Sequence, residues 1–173
     1  MSGDLGVVIV AGGNSSRMGG TDKIFASLGG QPVLSHTIKV FQDAPVVAAI
    51  VIVLSELNVA AGQKLVDELG DSKVSAVLTG GQRRQDSARV GVEYLSQMEV
   101  PPAFIAIHDG PRPFIDDALI NRGLEAARES GATVPGVSVT DTIKVIDERR
   151  RVVDTPIRDR LRAVQTPQIF KQE

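Results

Sequence analysis

The sequence contains no cysteine. That excludes disulfides, thiolate metal sites and a cysteine nucleophile. Only two histidines are present, too few for a zinc site built from several imidazoles. Aromatic residues make up 3% of the chain and the net charge is −2. Nucleic-acid binding has only the arginines of 149–162 behind it, and the few aromatic rings and net acidity argue against it. The weak acidity also gives no general attraction to anionic membranes. No apolar run approaches the roughly 20 residues of a membrane span. The N-terminus lacks a basic region ahead of its short apolar run, so no secretory signal is read. The expectation is a cytoplasmic protein with no nucleic-acid and no membrane partner. Its 173 residues, 42% hydrophobic, suit a single domain over 1–173 with a substantial core.

What is present is organised around residues 7–23, VVIVAGGNSSRMGGTDK. Val7 to Val10 is long enough for one buried strand. Ala11-Gly12-Gly13-Asn14-Ser15-Ser16 then carries almost no side-chain bulk, and two cations follow, Arg17 and Lys23. A strand that feeds such a loop leaves backbone N–H groups free to face an anion, and glycine permits close approach. This reads as a polyphosphate cradle. It matches neither the G-x-x-x-x-G-K-[ST] loop nor the G-x-G-x-x-G fingerprint, and an ordinary strand-to-helix turn is the alternative.

Further along, 32–41 reads as a helix with Pro32 in its first turn and His36 as a structural residue. The run 46–54, VVAAIVIVL, suits a strand buried on both faces. A helix over 56–69 ends at Gly70, and 74–78 is a third strand. The loop 79–87, TGGQRRQDS, again joins glycine to cations, and a helix follows to about residue 98. A fourth strand, 103–107, runs into HDGPRPF at 108–114. Asp116 caps a helix over 117–129, and 133–139 is another strand. Residues 139–160 read as a polar, arginine-rich hairpin arm.

Strands alternating with helices predict a three-layer, Rossmann-like α/β fold with a mainly parallel sheet and a protruding β-arm. Ligands bind beyond the carboxyl ends of such strands, and the loops 11–23, 79–87 and 108–114 all lie there. They supply Arg17, Lys23, Arg84 and Arg112 as cations and Asp109 as a carboxylate. No Ser-His-Asp order stands at a nucleophile elbow. The set suits phosphorus chemistry, where positioning and charge neutralisation dominate. Asp109 is a candidate Mg²⁺ ligand, with a loop cap as its alternative. Gln82 and Ser87 suit hydrogen bonds to a base or ribose, and Ser87 could equally cap the helix that follows.

The ordered set AGGNSSRMGGTDK (11–23), GGQRRQDS (80–87), HDGPRPF (108–114), DTIK (141–144) and Arg158 ahead of QTPQIF (165–170) closely resembles the 2-C-methyl-D-erythritol 4-phosphate cytidylyltransferases of the non-mevalonate isoprenoid pathway. The nucleotidyltransferase resemblance covers essentially the whole chain. It implies transfer of CMP from CTP to methylerythritol 4-phosphate with Mg²⁺, without a covalent enzyme intermediate. It implies that Arg17 and Lys23 stabilise the α-phosphate and the departing pyrophosphate. Ala11, Gly12 and Gly13 would pack on the nucleotide, and Gln82, Arg84 and Ser87 would recognise cytosine and ribose. Asp109 would hold the metal beside Gly110 and Arg112, and Thr142 and Arg158 would contact the sugar phosphate. The resemblance also implies a homodimer through the arm and further family segments past the QTPQ motif, one bearing a ligand-contacting lysine. Departures are Asp22 where the family has proline, Ser15 or Ser16 where it has glycine, and Gly110-Pro111 where it has Ala-Ala. Ribitol-5-phosphate cytidylyltransferase is the nearest alternative, and the molybdenum-cofactor nucleotidyltransferases share the first motif. A non-catalytic nucleotide-binding chain is the alternative from another class.

Overall fold

A computed structural model describes residues 3–13, 22–70 and 73–172. In chain order the elements begin with β1 (Leu5–Ala11), a minimal hairpin of β2 (Ser27–Leu28) and β3 (Gln31–Pro32), and α1 (Val33–Asp43). Then come β4 (Val47–Leu54), a 3-10 turn (Glu56–Asn58), α2 (Val59–Leu69), β5 (Val74–Thr79) and α3 (Arg84–Ser96). They are followed by β6 (Phe104–Asp109), α4 (Asp117–Ser130), β7 (Ala132–Thr133) and β8 (Gly136–Ser138). The chain continues through β9 (Val145–Ile146), β10 (Val152–Asp154), a second 3-10 turn (Arg158–Arg160), β11 (Arg162–Val164) and β12 (Gln168–Lys171).

Six strands form the central sheet in the order β5-β4-β1-β6-β12-β7. Strands β5, β4, β1 and β6 run parallel, and β12 pairs antiparallel to both β6 and β7. The apolar runs of β1 and β4 are explained by burial on both faces, with alternate residues going to opposite layers. Val8, Val10, Val51 and Val53 face α3, which contributes Ala88 and Leu95. Val7, Ile9, Ile50 and Ile52 face the other way, against Leu34, Ile38 and Phe41 of α1 and Ile120 and Leu124 of α4. Each such fully buried aliphatic stabilises the fold by about 1.5–3 kcal/mol. Helix α3 lies close to the sheet because residue 91 is glycine. A Cβ there would fall 2.3 Å from Val8 Cγ1.

The helix ends follow local chemistry. Leu119 N–H donates to Asp116 Oδ1 at 2.7 Å, as the capping prediction requires. Gly70 and Gly131 close α2 and α4 at φ of 73° and 81°. Helix α3 starts differently from expectation. Arg83, not Ser87, is its N-cap, and Asp86 accepts the Arg83 N–H at 3.2 Å and its Nε at 3.0 Å. The adjoining guanidinium holds the Asp86 carboxyl below the usual carboxylate range.

Four expectations about elements change. The helix placed over 56–69 opens with a 3-10 turn and becomes α only at Val59. Pro32 lies just outside α1, in β3. The strand over 133–139 is two strands. Pro135, which has no N–H to donate, separates β7 in the main sheet from β8, which pairs with β11 in the arm. The QTPQIF stretch, not assigned an element from sequence, supplies β12. The arm matches its prediction: β9 and β10 pair antiparallel, and Asp147 accepts the Arg149 and Arg151 N–H groups, each at 2.9 Å, across the turn.

Candidate active site

The sheet brings three loops to one edge. β1 ends at Ala11, leading to Gly12 and Gly13; β5 ends at Thr79, before Gly80; β6 ends at Asp109, before Gly110. Two backbone bonds lace these ends together: Gly80 N–H donates to Leu54 O at 2.7 Å, and Gly110 N–H donates to Val10 O at 2.8 Å. Glycine is required at 110, because a Cβ would lie 2.6 Å from the Ala11 Cβ. The alanine that the family usually carries there could not be fitted without a shift of the first loop. Among the described residues, nothing lies within 4 Å of where a Cβ on Gly13 would stand.

Asp109 is the centre of charge. Arg84 donates to its Oδ1 through both Nε and Nη2 at 2.8 Å, and Arg112 donates to its Oδ2 through Nε at 2.9 Å. The carboxylate side chain is 25% exposed, and the guanidiniums are nearly half exposed. Ion pairs this open contribute little to stability, about 0–1 kcal/mol each. Their placement at the strand ends points to ligand work instead. Arg84 enters from the first turn of α3 and Arg112 from the loop after β6, so a residue pair 28 apart converges on one carboxylate. Gln82 is exposed on the same loop as Arg84, whereas Ser87 is 2% exposed and donates to Gly81 O at 3.4 Å. Ser87 therefore supports the glycine loop from beneath.

Beneath Asp109 lies a buried layer that motif reading did not single out. His108, fully buried, contacts Phe41 edge-on at 5.1 Å. Its Nε2 is 3.0 Å from Arg112 O and its Nδ1 is 3.0 Å from Thr166 Oγ1. Burial pushes the imidazole down to about 4, so it is neutral near pH 7. Thr166 Oγ1 also accepts the Asp109 N–H at 3.3 Å. Gln165 Oε1 accepts from Arg112 Nη1, and Thr37 Oγ1 donates to Gly110 O at 2.7 Å. The sequence held these residues inside its motifs. Their roles depend on β12 pairing with β6, which brings together positions 58 apart.

Lys23 is half-buried in the turn after the first loop. Asp22 braces that turn. It accepts the Ile24 N–H at 3.3 Å and the Asn58 side-chain amide. A proline at 22 could not do so, which gives that departure from the family pattern a structural role. Arg17 falls at 14–21, outside the described residues. Thr142 and Arg158 lie on the arm, where Arg158 Nη1 donates to Thr140 O at 2.9 Å. A separate cavity of about 310 Å³ lies along α1, lined by Ser35, His36, Lys39 and Leu69 among others, and none of the crevice residues borders it. Among the described residues no group of three or more His, Asp or Glu side chains gathers to hold a metal, and no helix is long and apolar enough to cross a membrane.

The family profile described as 2-C-methyl-D-erythritol 4-phosphate cytidylyltransferase (IspD) matches residues 5–173. A protein of that name from Dehalococcoides mccartyi is 46% identical over 169 residues, which cover 98% of this chain and 73% of the relative. The crystal structure of 4-diphosphocytidyl-2C-methyl-D-erythritol synthase from Anaerococcus prevotii superposes with a TM-score of 0.81 at 24% identity, covering 99% of this chain and 72% of that one. The Thermus thermophilus cytidylyltransferase superposes at 0.68 with 29% identity, covering 95% and 69%.

Proposed function

The chain belongs to the 2-C-methyl-D-erythritol 4-phosphate cytidylyltransferase family, and from that membership we propose how its crevice carries out cytidylyl transfer. CMP passes from CTP to methylerythritol 4-phosphate in the cytoplasm, giving CDP-methylerythritol and pyrophosphate for isoprenoid synthesis. A phosphate oxygen of the acceptor attacks the α-phosphorus in line as pyrophosphate leaves. The protein contributes position and positive charge, which is where phosphoryl-type transfers gain most of their rate.

The observation that carries this reading is Asp109 held between Arg84 and Arg112 at the meeting point of the three loops. Arg17 and Lys23 neutralise charge on the α-phosphate and the leaving pyrophosphate. Ala11, Gly12 and Gly13 bring backbone close to the triphosphate. Gln82 and Arg84 form the base and ribose side, with Ser87 bracing their loop from beneath through Gly81 O, and Gly110 and Arg112 complete the floor.

Magnesium fits this donor set. It binds through one or two carboxylates plus substrate phosphates and keeps several waters. Asp109 would hold it through Oδ2, which accepts one bond, from Arg112, and keeps a lone pair, whereas Arg84 engages Oδ1 twice. When bound, the ion would neutralise phosphate charge and fix the triphosphate's orientation.

The arm supplies Thr142 and Arg158 to the sugar phosphate, most naturally across a dimer. Its strands are two-stranded and leave Val137, Val152 and Ile157 58–60% exposed. A second copy of the chain would cover them. The names of the relatives favour methylerythritol 4-phosphate over ribitol 5-phosphate as acceptor. Pyrophosphate release from Mg-CTP, with each acceptor offered separately, tests the assignment. Release with methylerythritol 4-phosphate alone is expected. Release only with ribitol 5-phosphate, or CTP binding without any turnover, would refute it.

A further inference from the structure

We propose that His108 and Thr166 are positioning residues, forming a buried hydrogen-bond chain that orients Asp109 and Arg112 for the transfer. The inference rests on the reading of Asp109 and Arg112 given above.

Donor and acceptor rules fix two bonds of the chain, and the Nε2–H tautomer sets the direction of the third. The Arg112 carbonyl can only accept, so His108 Nε2, 3.0 Å away, carries the proton. In that Nε2–H tautomer Nδ1 is bare and accepts. Thr166 Oγ1, at 3.0 Å, therefore donates its hydroxyl proton to Nδ1. The same oxygen has lone pairs left, and it accepts the Asp109 N–H at 3.3 Å. The chain runs from the Asp109 amide through Thr166 and His108 to the Arg112 carbonyl, with no proton misplaced. It grips both ends of the four-residue segment that presents the crevice charges. Thr37 holds the middle of that segment through Gly110 O, and Gln165 holds the Arg112 side chain.

Neither ring nitrogen is placed to face substrate, because His108 is fully buried and Thr166 is 6% exposed. The fold has no need of a polar ring at this position. His108 lies near the end of β6 against Phe41, where a phenylalanine or leucine would bury no polar ring atom. Edge-on contact with Phe41 fixes the ring plane. What the imidazole alone provides is a donor and an acceptor on opposite sides of one rigid ring, matching the span from Thr166 to the Arg112 carbonyl. A threonine from β12 thereby ties the last antiparallel strand to the active loop.

The test uses Thr166→Val and Thr166→Ser, with Asp109→Asn alongside. Valine keeps the shape and removes the hydroxyl, whereas serine keeps the hydroxyl. Expected is a fall in kcat of about tenfold or more for Thr166→Val, with KM for CTP changed by less than about threefold, since misplacement of reacting groups by fractions of an ångström carries costs of this order. Thr166→Ser should return kcat to within about twofold of wild type, as expected for a role that needs only the hydroxyl. Wild-type kcat in Thr166→Val beside an impaired Asp109→Asn would overturn the positioning role. Equal loss in the valine and serine variants would also overturn it, by showing a packing role. A wild-type Asp109→Asn would instead refute the reading of the site itself. Should the valine variant fail to fold, the ring nitrogens of the wild-type protein still decide. Long-range ¹H–¹⁵N spectra should show His108 as the neutral Nε2–H form at pH 7. A proton on Nδ1 would contradict the chain.

Discussion

Lys23 and His108 show two ways in which one side chain can matter. Lys23 is half-buried in the turn that follows the glycine loop, and the proposed mechanism sets its charge against the phosphates. Lys23→Ala should therefore lower turnover by about 10²-fold or more, a loss typical of removing one preorganised charge-stabilising group. Thermal unfolding should stay near wild type. Wild-type turnover in that variant would remove Lys23 from the mechanism. His108 bears on stability. Its folded value lies near 4 against an ordinary 6.5, so the unfolded chain binds the proton first. Its contribution is complete above about pH 6.5 and is lost as pH falls towards 4. The loss amounts to about 3 kcal/mol over that window. Urea unfolding of wild type and His108→Gln between pH 7 and 4, without divalent metal, should show a shallower pH slope in the variant. Equal slopes would mean that the ring is not held neutral.

At the scale of elements, the legible part of the structure was the part with strong periodicity. The apolar runs of β1 and β4 could only be buried strands, and Asp116 and Gly70 marked helix ends by their chemistry. The position of the loops with glycine and cations was readable because each follows an apolar run that ends as a strand. Less legible was whatever depended on pairing. β12 is short and polar at its start, and it becomes a strand only because β6 and β7 offer it edges. Ser87 was open to two readings, a base or ribose contact and a helix cap, and Arg83 and Asp86 satisfy the helix start and leave Ser87 to underpin the loop. Gly91 carried no sequence signal at all, yet it sets how closely α3 sits on the sheet. Gly91→Leu should destabilise the protein by about 1–3 kcal/mol or more through overpacking against Val8, read as a lower urea midpoint. An unchanged midpoint would show that α3 can lift away freely. On the arm, Thr142→Ala should raise KM for the sugar phosphate and leave KM for CTP unchanged. A raised KM for CTP alone would move Thr142 to the nucleotide side.

For the whole molecule, the carboxyl ends of the strands gather the three glycine-and-cation loops while the arm leaves the body with apolar side chains uncovered. The two regions make sense together if a neighbouring copy receives the arm. Sedimentation equilibrium should give a dimer at micromolar concentration. Val152→Asp combined with Ile157→Asp should shift it towards monomer and raise KM for the sugar phosphate. A wild-type monomer with full activity would show that each crevice is complete in one chain. The claim on which the rest depends is that the carboxylate between Arg84 and Arg112 lies at the chemistry. Steady-state turnover of Asp109→Asn with Mg-CTP and methylerythritol 4-phosphate, checked beside its melting temperature, tests this most directly. A drop of about 10²–10³-fold at an unchanged melting temperature is expected. Turnover equal to wild type would place the reaction elsewhere on the molecule.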